Sequence, residues 1–387
     1  MKVAFYTNLV SPHTVPLAAE LKKNIDSFVY IYQKHGGEPF RTGTALESMQ
    51  DCAICEADEP ERAGILLREC EVLLSGVRDF DLMQERIDKG MLTIYQSERW
   101  FKPESLLALG RSENMGRGMW VNGFWKMLFP FAIHRARKIM KLFGSAKFLY
   151  LPIGIHAARD MARLCGLMKG NLRCLFRSPL LRFEKQPLGR IELMEGGKPP
   201  LCCVEKMRMW GYFVAPSRGN QNMTRQSSSN VIRVLWVGRM IGLKNVDTVI
   251  RAVGGDDRFE LDIYGSGPEE KKLHKFASKY SNVNFGEMVP INKVRDLMRR
   301  HDVYVLSSNE FDGWGAVVNE ALEEGMKVVG TYEAGASATI LPESNLFHSG
   351  DWRMLRRMLA NPIEDTGIGN WTARYAANKL VSWMREV

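Results

Sequence analysis

Two acidic side chains in the second half of the chain flank a turn rich in glycine. They are Asp312 and Glu320, which have seven residues between them in the stretch Val303 to Gly330, VYVLSSNEFDGWGAVVNEALEEGMKVVG. The stretch begins with a short apolar run, and a helix-compatible segment follows the turn, so the pattern predicts strand, loop, helix and next strand. Asp312 ends the loop and Glu320 lies about one helical turn inside the helix. Two carboxylates can therefore face one pocket and accept hydrogen bonds from hydroxyl groups.

The turn itself favours an anion. Gly313 and Gly315 bracket Trp314, which lets the backbone approach a ligand closely. The peptide N–H groups of Gly315, Ala316 and Val317 would then point out of a helix N-terminus, where negative charge is stabilised. A phosphate site beside hydroxyl acceptors suits a nucleotide sugar.

This stretch resembles the signature of the retaining glycosyltransferases of family 4, which has two acids around a Gly-aromatic-Gly turn, usually both Glu. The first position differs here, because the glycines align Asp312 with the first acid and place Glu310 two residues too early. Asp312 is taken as the equivalent, and Glu310 remains a lesser candidate. The resemblance implies that Glu320 binds the ribose and that Asp312 lies near the transferred sugar. The alternative is that these acids are solvated surface charges.

A second pair of charged residues follows the apolar run Ile232 to Val237. Gly238 and Arg239 come directly after it, and Lys244 lies five residues beyond Arg239. The planar fork of Arg239 can chelate phosphate oxygens while Lys244 supplies a mobile point charge. The same Gly-Arg, four residues, Lys spacing occurs in family 4, where the two cations bind the donor diphosphate. No metal or other cofactor is expected, and the alternative is a pair of exposed charges at a strand end.

Two further turns are assigned by the resemblance alone. The Gly265 turn follows the run Phe259 to Tyr264 and is expected to border the nucleotide. The backbone near Met288 and Val289 is expected to meet the nucleotide base.

The first half shows only an alternation of strand and helix patterns. It opens with the run Lys2 to Thr7 and lacks a G-x-G-x-x-G turn, which argues against a dinucleotide-binding dehydrogenase. Glu98 and Arg99 follow one apolar run and His156 follows another, at positions that family 4 enzymes turn toward donor and acceptor. Arg99 could meet a phosphate or an acidic acceptor. An ion pair within the domain for Arg99 and a structural role for His156 remain the alternatives.

The alternating patterns predict an α/β protein with mostly parallel sheets, and the resemblance to family 4 implies the GT-B type, with two Rossmann-like domains whose parallel sheets face each other across a cleft. The predicted boundaries are an acceptor-binding domain over 1–214, a polar linker over 215–230, and a nucleotide-sugar-binding domain over 231–370. A last helix from about 371 to 387 is expected to pack back on the first domain, as is usual in this fold.

Composition agrees with a cytoplasmic enzyme. The 387 residues are 45% hydrophobic and 25% charged, and no stretch approaches the apolar length of a transmembrane helix. No signal peptide is evident in the opening residues. The seven cysteines are an odd set, and the Cys52 and Cys55 pair has no second Cys-x-x-Cys partner, so reduced thiols are favoured over disulfides or zinc.

The basic residues are concentrated in one segment. Residues 117–190 hold 15 Lys and Arg against two Asp and Glu, a local net charge of +13 in a chain whose total is +9. Within it, Arg135, Arg137, Lys138 and Lys141 accompany apolar residues, and Trp120, Trp125 and Phe129 add aromatic rings. Such a mixture can lie on an anionic bilayer, so peripheral membrane association is one expectation. The alternative is an ordinary helix with one buried face.

The function that the resemblance implies is transfer of a sugar, with retention, from a nucleoside diphosphate sugar to a hydroxyl of a glycan or polyprenyl-diphosphate-linked acceptor, as in bacterial surface polysaccharide biosynthesis. A nucleoside diphosphate sugar epimerase or a phosphorylase of the same fold is the first alternative. The basic segment alone suggests a nucleic-acid-binding protein, but no nucleic-acid module accompanies it.

Overall fold

The computed structural model describes residues 1–34, 49, 51–100, 130–175, 179–194, 202–217 and 231–387. The chain forms two compact units. Unit 1 comprises Met1–Gly211 and Ala373–Val387, and unit 2 comprises Tyr212–Thr372.

Unit 1 is built on a parallel sheet of six strands in the order β3-β2-β1-β4-β5-β6. The strands are β1 (Lys2–Thr7), β2 (Ser27–Tyr32), β3 (Ala53–Cys55), β4 (Val72–Ser75), β5 (Leu92–Ser97) and β6 (Phe148–Pro152). Their side chains are mostly buried on both faces, as in a sheet covered by helices on both sides. A small antiparallel pair, β7 (Leu181–Phe183) and β8 (Ile191–Leu193), is separate from this sheet.

The helices of unit 1 begin where the sequence supplies a start signal. Pro16 occupies the first turn of one helix, and the Asp79 side chain accepts from the Leu82 N–H at 3.0 Å at the start of another. The helices are α1 (Val15–Asn24), α2 (Pro60–Glu69), α3 (Phe80–Asp88), α4 (Pro130–Leu142), α5 (Ile155–Met168), α6 (Cys202–Glu205) and, at the end of the chain, α13 (Ala373–Glu386). Helix α13 packs against α1 within this unit.

Unit 2 repeats the same plan. Its parallel sheet has the order β11-β10-β9-β12-β13-β14. The strands are β9 (Ile232–Val237), β10 (Phe259–Tyr264), β11 (Val283–Gly286), β12 (Val303–Leu306), β13 (Lys327–Thr331) and β14 (Leu346–Phe347). The helices are α7 (Val246–Val253), α8 (Glu270–Ala277), α9 (Ile291–Met298), α10 (Val317–Glu323), α11 (Gly335–Ile340) and α12 (Trp352–Leu359). One core of buried residues joins the sheet to α7, α8 and α12.

In each sheet, the strand order reverses at one point. Successive strands are added on one side up to this point and on the other side after it, and it lies between β1 and β4 in unit 1 and between β9 and β12 in unit 2. Ligands of open parallel sheets bind outside the carboxyl ends of the strands at such a switch point. The predicted pair of Rossmann-like domains is confirmed. Ligand-binding residues are therefore expected in the loops after β9 and β12 of unit 2, and in the loops after β1 and β4 of unit 1.

The start of unit 2 lies at Tyr212, shortly before the predicted boundary at 214. The reason is aromatic packing: the Tyr212 ring lies 6.4 Å from that of Trp314, and the Phe213 ring lies 6.5 Å from that of Trp371. Of the predicted linker, 215–217 belong to unit 2, and 218–230 lie outside the described residues.

None of the helices in the described ranges has the length and apolar composition needed to cross a membrane.

Candidate functional site

Two residues that sequence spacing assigned to separate turns are in contact at the switch point of unit 2. The Lys244 Nζ lies 2.6 Å from the Asp312 Oδ2, and the two side chains are only 21% and 14% exposed. Lys244 ends a short 3-10 turn, Gly242–Lys244, that follows β9. Asp312 lies in the loop after β12. Because β9 and β12 are neighbours in the sheet, their carboxyl ends bring the two side chains together.

Hydrogen bonds hold these two loops in register. The Ser307 hydroxyl donates to the Lys244 carbonyl at 2.6 Å, and the Asn309 N–H donates to the Leu243 carbonyl at 2.9 Å. We refer to residues 307–316 as the signature loop. Its first residues are therefore fixed to the 3-10 turn before any ligand is present, which pre-organises the cation and the carboxylate.

Arg239 differs from Lys244 in its environment. Its side chain is exposed, and no carboxylate of the described residues pairs with it. It follows Gly238, whose carbonyl oxygen would lie 1.9 Å from a Cβ at Gly265. Only glycine at 265, at φ +134°, allows this close approach of the loops after β9 and β10. Arg239 is thus an unpaired guanidinium beside a glycine-lined backbone, an arrangement that fits a phosphate group.

The end of the signature loop offers peptide donors. Gly315 has φ +84°, and α10 begins at Val317 with Ala316 as its N-cap. Within the described part of the chain, the N–H groups of these three residues donate no hydrogen bond. Gly313 completes the turn, and its carbonyl would lie 2.4 Å from a Cβ at Gly335. The start of α10 therefore offers three peptide donors, and the binding of an anion there stays a prediction.

The Trp314 side chain belongs to the core and is only 3% exposed. Its indole Nε1–H donates to the Asn319 Oδ1 at 2.9 Å, and its ring packs against those of Tyr212 and Trp371. Trp314 therefore anchors the loop, and only its backbone remains available to a ligand.

Glu320 is the second carboxylate of the site. It lies in α10 and is partly buried, and the burial raises its pKa from 4.5 to about 7, against the opposing charge of Arg295. Burial also raises the pKa of the Tyr304 hydroxyl, and the charges of Asp312 and Glu320 raise it further. Both carboxylates therefore lie near the Tyr304 hydroxyl in β12.

Arg295, the cation whose charge acts on Glu320, already has other partners. Arg295 lies 3.3 Å from Glu324, which is 1% exposed and also pairs with Arg299 at 2.6 Å. Arg295 further donates to the Ala215 carbonyl at 2.6 Å. Since Arg295 is held by these groups, Glu320 is left without an ion-pair partner among the described residues, which leaves its oxygens available to accept from a ligand hydroxyl.

The raised pKa of Glu320 predicts a pH-dependent stability difference. A folded-state pKa above the unfolded value means that stability is full below about pH 4.5 and declines as pH rises through 7, by about 3 kcal/mol. Glu320→Gln, which cannot ionise, should therefore gain stability relative to wild type as pH rises from 5 to 8. Urea midpoints at both pH values measure this, with the exposed Glu287→Gln as control. If the urea midpoints of wild type and Glu320→Gln differ by the same amount at pH 5 and at pH 8, the raised pKa of Glu320 is contradicted.

The remaining predicted residues of this site lie at its rim. Met288 is 68% exposed, and its sulfur accepts from the Ser266 hydroxyl at 3.7 Å, so the loops after β10 and β11 meet beside the site. Val289 follows it and is partly buried. Glu310 is exposed, and it is Asp312 that contacts Lys244. The geometry thus supports Asp312 over Glu310.

In unit 1, the predicted residues lie at the carboxyl ends of β5 and β6. Arg99 pairs with the buried Asp160 of α5, with Nε to Oδ2 at 3.2 Å, which is the intradomain ion pair left open above. His156 occupies the first turn of α5 and is partly buried. Glu98 directly follows β5 and is partly buried.

Among the described residues, no group of three His, Cys, Asp or Glu side chains is arranged to hold a metal ion. Cys52 and Cys55 are free thiols at β3. The expected independence from metal stays a prediction.

Comparison with known proteins connects this geometry to one group of enzymes. Residues 221–378 match the sequence profile of the family described as glycosyl transferases group 1. The uncharacterized glycosyltransferase MJ1069 of Methanocaldococcus jannaschii is 22% identical over 183 residues, which are 44% of this chain and 47% of that protein. The chain thus spans about half the length of the curated relative it matches.

Several solved structures have the same fold over the whole chain. HepE of Anabaena in complex with UDP superposes with a TM-score of 0.61 at 13% identity, covering 100% of both chains. Sucrose-phosphate synthase of Thermosynechococcus elongatus gives 0.55 at 14%, covering 100% of this chain and 99% of that one. WaaG, a glycosyltransferase involved in lipopolysaccharide biosynthesis, gives 0.53 at 16%, covering 99% and 98%. The GT-B fold prediction is confirmed.

Proposed function

We propose that the protein is a retaining glycosyltransferase of family 4 type, which transfers a sugar from a nucleoside diphosphate sugar to a hydroxyl acceptor. One observation carries the proposal: the Lys244–Asp312 contact lies at the switch point of unit 2, between the loop after β9, which also holds Arg239, and the start of α10, which holds Glu320 and peptide N–H groups without an acceptor among the described residues. Cations and peptide donors match a diphosphate, and carboxylates match sugar hydroxyls. The group 1 profile match over this unit and the UDP bound to HepE support the same conclusion.

Each residue has a role in this proposal. Arg239 and Lys244 bind the diphosphate, and the N–H groups of Gly315 to Val317 bind oxygens of the same group. Glu320 accepts from the ribose hydroxyls, and Asp312 lies near the transferred sugar. Because Asp312 already holds Lys244, donor binding requires Lys244 to be shared between this carboxylate and a phosphate.

In the proposed reaction, no side chain of the protein acts as the nucleophile. The acceptor oxygen attacks the anomeric carbon on the side of the departing diphosphate, and the bond between that carbon and the phosphate oxygen breaks. A β-phosphate oxygen takes the acceptor proton, and the cations stabilise the charge that develops on the leaving group. Retention results because attack and departure occur on one face. A glycosidase-type pair is disfavoured, since both acids belong to one loop and helix.

The test separates transfer from epimerisation. The protein is incubated with a panel of nucleoside diphosphate sugars, with and without a hydroxyl acceptor, and products are identified by NMR. A glycosyltransferase should release nucleoside diphosphate and give a product with the donor's anomeric configuration. Conversion of donor to an epimeric nucleotide sugar without release, or an inverted product, would contradict the proposal.

We also place the acceptor pathway in bacterial surface polysaccharide biosynthesis, in the cytoplasm and at the inner face of the membrane. WaaG, of the same fold, is a lipopolysaccharide enzyme, which supports this setting. Helix α4 buries Ala136, Ile139 and Leu142, and it leaves Arg135, Arg137 and Lys141 exposed. Lys138 pairs with Asp81 at 2.6 Å. In the described residues, contact with a membrane would therefore rest on charge; Trp120, Trp125 and Phe129 lie outside them.

Neutralising Arg135, Arg137, Lys138 and Lys141 together should release the protein from anionic vesicles at physiological salt. Each basic residue near an anionic surface contributes about 1 kcal/mol, so losing the three unpaired ones weakens binding by about 100-fold. Vesicle co-sedimentation measures it, with neutralised Lys271, Lys272, Lys275 and Lys279 of unit 2 as a matched control. Equal and weak binding of wild type and variant to neutral and anionic vesicles would show that α4 is an ordinary solvated helix.

A further inference from the structure

A second positioned guanidinium lies at the switch point of unit 1, where sequence spacing gave no signal. Arg78 comes three residues after β4, the strand that follows β1 across the reversal of the sheet. Its Cζ lies 4.9 Å from the centroid of the Trp100 ring, and its Nε lies 3.4 Å from the Tyr95 hydroxyl oxygen. The Trp100 ring in turn stacks on Phe80, at 6.1 Å and 16°. Arg78 is exposed, yet its guanidinium is held over an aromatic face.

The charge of Arg78 is not compensated within the described residues. No carboxylate there lies within ion-pairing distance of it, and the two nearby acids have other partners. Asp79 caps α3 through the Leu82 N–H, and Asp160 pairs with Arg99. Burial raises the pKa of Tyr150, the charge of Asp160 raises it further and that of Arg78 lowers it, so Arg78 and the Arg99–Asp160 pair lie around one hydroxyl.

We propose that the edge of unit 1 formed by the ends of β4 and β5 binds a phosphate group of the acceptor, with Arg78 as its cation. The assignment of this phosphate to the acceptor rests on the proposed function, whereas the binding of phosphate does not. A planar guanidinium can donate to two phosphate oxygens at once. The stacking of Arg78 on Trp100 fixes the direction in which its N–H groups point. The acceptor class is accordingly a phosphate- or diphosphate-linked molecule.

Arginine-selective modification tests the two sites separately in one sample of the full chain. Phenylglyoxal labelling is followed residue by residue by mass spectrometry, alone and with inorganic pyrophosphate, malonate or UDP. Pyrophosphate should slow the labelling of Arg78 by about tenfold or more, while the dicarboxylate malonate at equal concentration and ionic strength should not. Arg62, exposed and paired with Glu59, is the internal control that no ligand should protect.

The outcomes separate this inference from the proposed function. Arg239 unprotected by UDP would contradict the nucleotide site of unit 2 and leave the phosphate site of unit 1 standing. Labelling of Arg78 that pyrophosphate does not slow, or that malonate slows equally, would overturn the phosphate site. As a second measurement, pyrophosphate is titrated calorimetrically into proteins in which Arg239 and Lys244 are both replaced by alanine, so that the diphosphate site proposed for unit 2 does not contribute. In this background, Arg78→Gln should show an affinity at least tenfold below that of the parent and of Arg62→Gln. Equal affinities would also overturn it.

Discussion

Replacing Lys244 by alanine should lower kcat/KM for sugar transfer by about 30- to 1000-fold, because part of the diphosphate charge loses its counter-charge in a closed site. Arg239→Ala should have an effect of similar size. Turnover measured with the true donor checks both, and Lys271→Ala, an exposed lysine of the same unit, is the control. Wild-type turnover in both variants would exclude the diphosphate assignment.

The two cation variants should differ in stability. Arg239 is exposed and has no ion-pair partner in the part of the chain that the structure describes, so its removal should leave the free energy of unfolding unchanged. Lys244→Ala leaves the 14% exposed Asp312 carboxylate without its partner, which is unfavourable. Adding Asp312→Asn to Lys244→Ala should therefore restore stability without restoring turnover. Independent, additive effects of the two substitutions on stability would show that the pair is not coupled.

The acid substitutions form the second large expected effect. Asp312→Asn should lower kcat by about 100-fold or more, since Asp312 contacts Lys244 and, in the proposed function, lies near the transferred sugar. Glu320→Gln should instead raise KM for the donor by about tenfold, because a ribose hydroxyl loses a charged acceptor. Glu310→Gln should be mild. Steady-state kinetics with varied donor separates the three.

Two outcomes of this series would contradict the assignment. If Glu310 is indispensable and Asp312 is not, the alignment of the first acid on the glycines is wrong. If Glu320→Gln lowers kcat with KM unchanged, Glu320 acts in the transfer step and does not bind the ribose.

The fold was accessible from sequence because each strand is a short apolar run and each crossover is a helix-compatible segment. The signature loop was accessible as well, since Gly315, at φ +84°, is required by backbone conformation and forms with Gly313 a recognisable Gly-Trp-Gly turn. What spacing alone did not provide were contacts across long sequence separation. Lys244 and Asp312 are 68 residues apart, and Arg99 and Asp160 are 61 apart.

The burial of individual side chains also could not be predicted from the sequence. Trp314 looks like a ligand contact in a glycine-rich turn, but it is buried because Tyr212 and Trp371, from distant segments, pack against it. Arg78 illustrates the converse case. Its exposed position has no motif, and only the ring of Trp100 and the topology of the sheet show that it is positioned.

Native mass spectrometry of the full chain with a panel of nucleoside diphosphate sugars tests the central claim most directly. The account predicts an adduct of one nucleoside diphosphate sugar that neither its sugar 1-phosphate nor its nucleoside forms, and that is lost when Arg239 and Lys244 are both replaced by alanine. Absence of any nucleotide-sugar adduct at millimolar concentration, or an adduct that survives both substitutions, would contradict it.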